Sequence, residues 1–215
     1  MKIGVFDSGI GGTSVLAAVK EFLPNEEYYY IADSKNCPYG EKSDEELRQI
    51  VTENTEELKK WGAEIIIIAC NTATTKCIEF LRSKYPTIKF VGTEPAIKLA
   101  TATNAKNILV LATPGTIAAE RTKSLLEENR KPNQNITLLP CPGLADVIEA
   151  NLNTAENTKI DNKLHEILQN LEAPDVIVLG CTHYSLVKDK IQKIFPIASL
   201  VDGNSGVARR VKELV

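Results

Sequence analysis

The segment Glu64-Ile-Ile-Ile-Ile-Ala-Cys70-Asn71-Thr72-Ala-Thr74 is a run of apolar, mostly β-branched residues that stops at a cysteine followed by small polar residues. A second segment, Asp175-Val-Ile-Val-Leu-Gly-Cys181-Thr182-His183-Tyr184-Ser185, has the same pattern. Continuous apolar runs of this length are typical of parallel strands that are buried on both faces. We therefore expect two buried strands, each ending at a thiol, with both thiols facing one site.

These two segments belong to a longer internal repeat, in which strands alternate with helices and the pattern restarts near Asn107. Such alternation predicts an α/β fold. The sequence predicts two pseudo-symmetric α/β domains with mainly parallel sheets, the first formed by residues 1–93 together with 186–215 and the second by residues 94–185. Ligands bind beyond the carboxyl ends of parallel strands. The active site is therefore expected in the cleft between the two domains.

Local signals define several helix ends. Ser43 with Glu46 three residues later has the spacing of a capping box and predicts a helix start, and Gly62 is expected near the end of that helix. Further along, Thr113-Pro-Gly115-Thr116 is expected as a turn, followed by a helix from Ile117 to Asn129.

Charge and composition exclude several classes of protein. The chain has 25 basic residues against 28 acidic ones, and no basic run is interleaved with aromatic residues, so no nucleic-acid partner is expected. The apolar start, Met1 to Phe6, is too short for a signal peptide, and no apolar run approaches the length of a membrane span. The sequence therefore predicts a cytoplasmic protein without a membrane partner.

The cysteines are odd in number and scattered, which favours free thiols over a disulfide framework. They stand at Cys37, Cys70, Cys77, Cys141 and Cys181. Cys141, Cys181 and His183 could meet in space, but no CxxC pair or HxxxH helix is present, so no metal site is expected. Cys37 and Cys77 end no buried strand and are expected to be packing residues, whereas the role of Cys141 stays open.

The segment Gly9-Ile10-Gly11-Gly12 follows a predicted strand, and Asp33 ends the next one, which invites a dinucleotide-binding interpretation. The match is incomplete, because the third glycine of the motif would fall at Ser14 and Asp7 would face the pyrophosphate. A simple glycine turn, able to present amide groups to a smaller anion such as a carboxylate, is the preferred interpretation. We expect no cofactor.

Cys70 and Cys181 differ from the other cysteines because each is predicted where a strand gives way to a helix. The positive end of a helix dipole favours a thiolate at such a position. His183, two residues after Cys181, is placed to act as its proton partner. From the residues alone, a catalytic thiol pair and a packing role both stay open, and Glu149 would ordinarily be a solvated carboxylate.

Four segments, in order along the chain, closely resemble the signature segments of the glutamate racemase family, within the aspartate/glutamate racemase superfamily. They are Phe6-Asp7-Ser8-Gly9-Ile10-Gly11-Gly12, Pro38-Tyr39-Gly40, Ala69-Cys70-Asn71-Thr72-Ala73-Thr74 and Gly180-Cys181-Thr182-His183-Tyr184. The resemblance implies two pseudo-symmetric α/β domains and cofactor-independent interconversion of L- and D-glutamate. It also implies supply of D-glutamate for bacterial peptidoglycan, and it is compatible with a homodimer.

Carried over by position, the resemblance implies that Cys70 and Cys181 are the two acid/base thiols, assisted by Asp7 and His183. It implies that Glu149 contacts the substrate ammonium or assists the second base. The residues implied to hold the substrate are Ser8, Pro38, Tyr39, Gly40, Asn71, Thr72, Thr116 and Thr182.

A pair of thiols suits racemisation, because a proton must leave one face of Cα and return to the other, and two opposed bases can do this without crossing the substrate. No lysine signature of a pyridoxal enzyme is apparent. Two alternatives remain at this level: an aspartate or broader amino-acid racemase, and a non-catalytic amino-acid-binding protein.

Overall fold

The fold is seen in a computed structural model, which describes residues 1–154 and 157–215. Each half of the molecule is built on a sheet of four parallel strands. The first half contains β1 (Lys2–Asp7), α1 (Thr13–Phe22), β2 (Glu27–Ala32), α2 (Asp44–Trp61), β3 (Ile65–Ile68), α3 (Asn71–Lys84) and β4 (Lys89–Gly92).

The second half follows the same alternation. It contains α4 (Ile97–Thr101), β5 (Asn107–Ala112), α5 (Pro114–Ala118), α6 (Glu120–Asn129), β6 (Asn135–Pro140), α7 (Leu144–Asn151), α8 (Thr158–Leu168), β7 (Val176–Gly180), α9 (Thr182–Ser185), α10 (Lys188–Ile194) and β8 (Ser199–Val201). The chain closes with α11 (Asn204–Lys212). Residues 155 and 156, between α7 and α8, lie outside the described residues.

The two sheets have the same strand order, β2-β1-β3-β4 and β6-β5-β7-β8. This confirms the predicted pair of pseudo-symmetric α/β units with parallel sheets. The two apolar runs that end at Cys70 and Cys181 are central strands. All four isoleucines of β3 are fully buried, and all five residues of β7 are buried as well. Burial on both faces explains why neither run alternates between apolar and polar residues.

The strand pairing differs from the predicted domain division at one place. Residues 186–215 were expected with the first domain, but β8 pairs with β7, with Val176 opposite Ser199. Ile191 of α10 packs in the same apolar cluster as Leu179 of β7. Only α11 returns to the first half, where it packs on α1. The alternation of strands and helices does not reveal which sheet a final short strand joins, because that depends on hydrogen-bond partners far away in sequence.

Capping at the predicted positions is observed in the first half. Ser43 and Glu46 form a capping box at the start of α2, and Gly62 ends this helix in a left-handed conformation with φ of 93°.

In the second half, the single helix predicted over residues 117–129 is replaced by two helices. The first already begins at Pro114, and an extended Ala119 separates α5 from α6. The Thr113 hydroxyl accepts a hydrogen bond from the Thr116 amide, which starts α5 three residues early.

None of the helices in the described part of the chain combines the length and the apolar character that a bilayer span requires.

Candidate active site

Cys70 and Cys181 occupy equivalent places in the two halves. Cys70 directly precedes α3 at the end of β3, and Cys181 directly precedes α9 at the end of β7. Both thiols are almost fully buried, at 6% and 7% exposure. As expected from the sequence, each thiol stands where a buried strand gives way to a helix.

The two thiols line one narrow cavity between the halves. Its walls are Ser8, Pro38, Tyr39, Gly40, Cys70, Asn71, Thr72, Thr113, Ala145, Cys181 and His183. The cavity has a volume of about 10 Å³, which is about the space of one water molecule. Since an amino acid needs more room than this, we expect the walls of the cavity to move apart when a substrate enters.

Nine of the thirteen residues predicted for the site line this cavity, and the other four lie just behind it. The second group is Asp7, Thr116, Glu149 and Thr182. Thr113 and Ala145 were not predicted. Thr113 could have been found from its position before the Pro-Gly pair, because threonine is a preferred residue at a helix start.

Asp7 is fully buried at the end of β1. Its Oδ2 accepts hydrogen bonds from the Gly12 amide at 2.6 Å and from the Thr182 hydroxyl at 3.1 Å. Burial raises the pKa of Asp7, and the positive charge of His183 opposes that shift. The second bond joins the first half to the second.

Cys70 has a hydroxyl and a carboxyl among its neighbours. Its Sγ lies 4.0 Å from the Ser8 hydroxyl oxygen. Burial raises the pKa of Cys70 well above its usual value, and the negative charge of Asp7 raises it further. Cys70 therefore carries its proton in this state.

His183 is buried between a thiol and a carboxylate. Its Nδ1 lies 3.9 Å from Cys181 Sγ, and its Nε2 lies 2.8 Å from Glu149 Oε2. Burial alone would lower the pKa of His183, but hydrogen bonds to Cys181, Cys37 and Glu149 raise it, and the net shift is well upward. The imidazole is therefore held as an imidazolium, which places a cation beside Cys181.

Glu149, on α7, reaches across to the first half. It accepts hydrogen bonds from the Ile10 amide at 2.8 Å and from the Ser34 hydroxyl at 2.6 Å, besides its contact with His183. Burial would raise the pKa of Glu149, yet the bonds from His183, Ser34 and Ile10 lower it to about 2. A Cβ at Gly9 would lie 2.3 Å from Glu149 Oε2, so glycine is needed there for this approach. Glu149 is therefore a hydrogen-bonded group between the two halves and not the solvated carboxylate that its position in the sequence would ordinarily predict.

Three threonine hydroxyls form a triangle across the cleft. Thr72 Oγ1 of the first half lies 2.9 Å from Thr113 Oγ1 and 3.1 Å from Thr116 Oγ1 of the second, and the latter two are 3.0 Å apart. These hydroxyls can reorient as donors or acceptors, which suits the binding of a carboxylate.

The segment that carries Pro38, Tyr39 and Gly40 is held in place by hydrogen bonds to the Tyr39 hydroxyl. The Tyr39 hydroxyl donates to Asp33 Oδ2 at 2.7 Å, and the Asn54 side chain donates to the Tyr39 hydroxyl at 3.0 Å. Asp33, the acid considered for a dinucleotide ribose, is thus buried and engaged with Tyr39. Sequence reasoning missed Asn54, which carries no local signal in the middle of α2.

Two buried acceptor oxygens near the thiols have no hydrogen-bond partner among the described residues. They are Asp7 Oδ1 and Asn71 Oδ1. The Asn71 side chain donates to the carbonyl of Thr93 at 3.1 Å, which orients its amide oxygen. Buried acceptors without donors are costly, and an ammonium group would satisfy them.

The remaining cysteines have different settings. All five are free thiols. Cys77 is buried in the first core, and burial raises its pKa to about 11. Cys141 donates to the carbonyl of Leu139 at 3.4 Å, and burial raises its pKa to about 12. Both are packing residues, whereas Cys37 is half-buried and lies close to His183 and Glu149.

A much larger cavity, of about 830 Å³, is lined by parts of both halves elsewhere, including Arg82, Glu94 and Asp202. It contains none of the predicted site residues. The narrow cavity is the candidate active site, because it gathers the thiols, the imidazole and the unpartnered acceptor of Asn71.

Known proteins share this architecture. The family described as Asp/Glu/Hydantoin racemase matches residues 3–211. A glutamate racemase of Clostridium perfringens (strain ATCC 13124) is 43% identical over 214 residues, which cover 98% of this chain and 81% of the relative. A Clostridium botulinum glutamate racemase is 40% identical, with 98% and 82% covered.

Among solved structures, Escherichia coli glutamate racemase in complex with L-glutamate and the activator UDP-MurNAc-ala superimposes with a TM-score of 0.89. It is 32% identical, and the match covers 99% of this chain and 81% of that one. With the matched residues spanning nearly the whole chain, the chain belongs to the Asp/Glu/Hydantoin racemase family and, within it, to the glutamate racemases.

Proposed function

We propose that the chain is a cofactor-independent racemase that interconverts L- and D-glutamate with two thiols, Cys70 and Cys181. The observation that carries this proposal is their placement: matching positions of two pseudo-symmetric halves contribute one thiol each to a single buried cavity. The substrate is taken from the relatives, of which the Escherichia coli enzyme was solved with L-glutamate.

The reaction removes a proton from one face of Cα and delivers another to the opposite face. One thiolate accepts the Cα proton as the C–H bond breaks, and the facing thiol donates its proton to the carbanionic carbon. The products are the other enantiomer and a pair of thiols with exchanged protonation, so atoms and charge balance. A base on each side makes movement of a single base across the substrate unnecessary.

The charges around the two thiols support one starting state. Cys70 is the protonated member, because burial and Asp7 disfavour its thiolate. We assign Cys181 the role of the base in this direction because its sulfur faces His183 Nδ1 at 3.9 Å. In the reverse direction Asp7 accepts the proton of Cys70, for which its raised pKa makes it a competent base, and His183 passes a proton to Cys181, which then donates to Cα.

Polar groups around the cavity can hold the substrate's ends. The unpartnered amide oxygen of Asn71, which lines the cavity, accepts a hydrogen bond from the ammonium. Amides at the start of α3 and the hydroxyls of Ser8, Thr72 and Thr116 bind the carboxylates. Thr182 holds Asp7, and Pro38, Tyr39 and Gly40 close the cavity. Such fixed donors stabilise the negative charge that develops when the Cα proton leaves.

Glu149 acts on the second base through His183. Its carboxylate accepts from His183 Nε2 and is itself held by Ile10 and Ser34, so it fixes the ring orientation and keeps the ring protonated. The resemblance implies that Glu149 either contacts the substrate ammonium or assists the second base. These contacts support the second role, through the positioning of His183.

Hydrogen exchange at Cα tests the proposal. We expect the protein, incubated in heavy water with either L- or D-glutamate, to wash the Cα proton out of both enantiomers, as followed by NMR. Aspartate measured in parallel gives the substrate range, and equal rates would support the broader racemase. Absence of exchange from either glutamate enantiomer, in a protein that binds glutamate, would instead support a silent binding protein.

The place of the reaction in the cell follows from the family. We infer that the chain supplies D-glutamate for peptidoglycan in the cytosol, where L-glutamate is available, without a nucleic-acid or membrane partner. A homodimer is compatible with the resemblance, and light scattering of the purified protein would measure the oligomeric state.

A further inference from the structure

Three potential metal ligands from separate parts of the chain meet at the edge of the cavity. The ligand atoms of Cys37, Glu149 and His183 all lie within 4.8 Å of one another. Cys37 precedes the Tyr39 segment, Glu149 lies on α7, and His183 lies on α9. We propose that these side chains form a binding site for Zn²⁺, and that zinc bound there inhibits the enzyme.

The donor set is suited to zinc. Thiolate sulfur, imidazole nitrogen and carboxylate oxygen are the three ligand types that zinc takes, at about 2.3, 2.0 and 2.1 Å. Ligands of a tetrahedral ion at those distances are about 3.3–3.6 Å apart, so the present spacing, at most 4.8 Å, needs adjustments of no more than about 1.5 Å. One thiolate and one carboxylate supply two negative charges, which balance the charge of the ion.

Part of the site is already held in place. The carboxylate of Glu149 is oriented by the Ile10 amide and the Ser34 hydroxyl. His183 is 1% exposed and is fixed from the cavity side by its contact with Cys181. Cys37 and Glu149 are only half-buried, so an ion can reach them from solvent. Two of the ligands are thus preorganised, and the third is accessible.

Zinc binding must replace a proton. The 2.8 Å contact between His183 Nε2 and Glu149 is a charge-assisted hydrogen bond in the metal-free chain. A metal ion between these groups takes the place of the shared proton, and the thiol proton of Cys37 is also released. The fourth coordination position is left to water.

Inhibition follows from the same atoms. Zinc bound to Nε2 breaks the direct bond between His183 and Glu149, so the carboxylate no longer orients the ring whose Nδ1 faces Cys181. The ion would also tie Glu149 and Cys37 together across the cleft, and so oppose the opening that substrate entry requires. This consequence rests on the proposed racemase activity, whereas the zinc site itself does not.

Calorimetric titration with zinc chloride tests the site without glutamate. Tag-free, reduced protein is expected to bind one Zn²⁺ per chain. Cys37→Ser should bind it at least about 100-fold more weakly, since the loss of even an outer partner of a zinc ligand costs about 10- to 100-fold. Cys77→Ser, which removes a thiol remote from the cluster, is the matched control and should bind like the unchanged chain.

Two results would overturn the zinc site. One is no binding by the unchanged chain. The other is equal affinity in Cys37→Ser, which would show that the metal binds at other residues. Circular dichroism of both variants guards against misfolding, and Cys37→Ala serves as a second removal of the sulfur. Cobalt(II) gives an independent signature, because its thiolate charge-transfer absorption should appear in the unchanged chain and disappear in Cys37→Ser.

Racemisation measured with increasing zinc tests the inhibition. The unchanged chain and Cys77→Ser should lose activity together, whereas Cys37→Ser should need at least about tenfold more zinc. Equal inhibition of Cys37→Ser would refute the link between this site and activity. If the chain shows no racemase activity at all, the proposed function fails, and the calorimetry still decides the metal site.

Discussion

Cys70 and Cys181 stand at the same point of two similarly ordered sheets, but their neighbours differ in charge. Beside Cys70 lie the carboxyl of Asp7 and the hydroxyl of Ser8. Beside Cys181 lies an imidazole that Glu149 keeps protonated. The backbone repeat thus places two identical side chains, and we propose that the different neighbour in each half gives the two thiols different roles in proton transfer.

Removal of either sulfur tests the comparison most severely. We expect Cys70→Ser and Cys181→Ser each to lower kcat for racemisation by at least about 10²- to 10⁴-fold, the usual contribution of an acid/base group. Rates can be followed by circular dichroism of glutamate. Cys77→Ser should keep its activity, and near-normal turnover in either active-site variant would refute the two-thiol mechanism.

Substitution of the side chain beside each thiol should distinguish the roles of Cys70 and Cys181. Asp7→Asn and His183→Gln are each expected to lower kcat/KM by about 100-fold. The fall must be equal in both directions, because the enantiomers have equal free energy.

The asymmetry should appear in the deuterium isotope effect instead. With Cα-deuterated substrates, Asp7→Asn should increase the isotope effect for one enantiomer and His183→Gln for the other. An increase for the same enantiomer in both variants would contradict the assignment of one partner to each thiol.

The bond between Glu149 and His183 should also contribute to stability. The pKa of Glu149 is lowered to about 2, so its stabilisation is present above its ordinary pKa of 4.5 and is lost as the pH falls toward 2. The pKa of His183 is raised, so its stabilisation is present below 6.5 and is lost as the pH rises through the folded-state value.

Glu149→Gln should therefore lower the free energy of unfolding at pH 7 by about 1–2 kcal/mol, after allowance for solvent screening of a half-buried carboxylate. Urea denaturation at pH 7 and pH 3 measures this, and the difference should be smaller at pH 3. Glu166→Gln, on the exposed face of α8, should change stability little at either pH. A pH-independent difference would show that the loss comes from packing.

The threonine triangle should give the smallest effect. Thr113→Val keeps the shape of the side chain but removes the cap of α5, the contact with Thr72 across the cleft and the contact with Thr116 in the same half. We expect a loss of about 1 kcal/mol, seen as a fall in Tm of about 2–4 °C, together with a higher KM for glutamate. Thr113→Ser should restore both, and an unchanged KM in Thr113→Val would exclude the hydroxyl from substrate binding.

Local patterns determined much of this protein. The apolar runs specified β3 and β7, the spacing of Ser43 and Glu46 specified the start of α2, and the repeat specified two similar parallel sheets. These features depend on residues within a few positions of each other, or on repetition of one local pattern, and they are therefore readable from sequence. Most of the site residues that the matched segments implied line one cavity.

Tertiary structure alone decided the rest. The pairing of β8 with β7, the contact of Glu149 with Ile10 and the approach of Cys37 to His183 have no local signature. Glu149 and Ile10 are 139 positions apart, and their bond exists because the two halves pack face to face. The sequence by itself determined which residues end the strands. Only the packing of one half on the other decided that Thr182 holds Asp7 and that Cys37 approaches His183, because such interactions depend on distance in space and burial, not on distance along the chain.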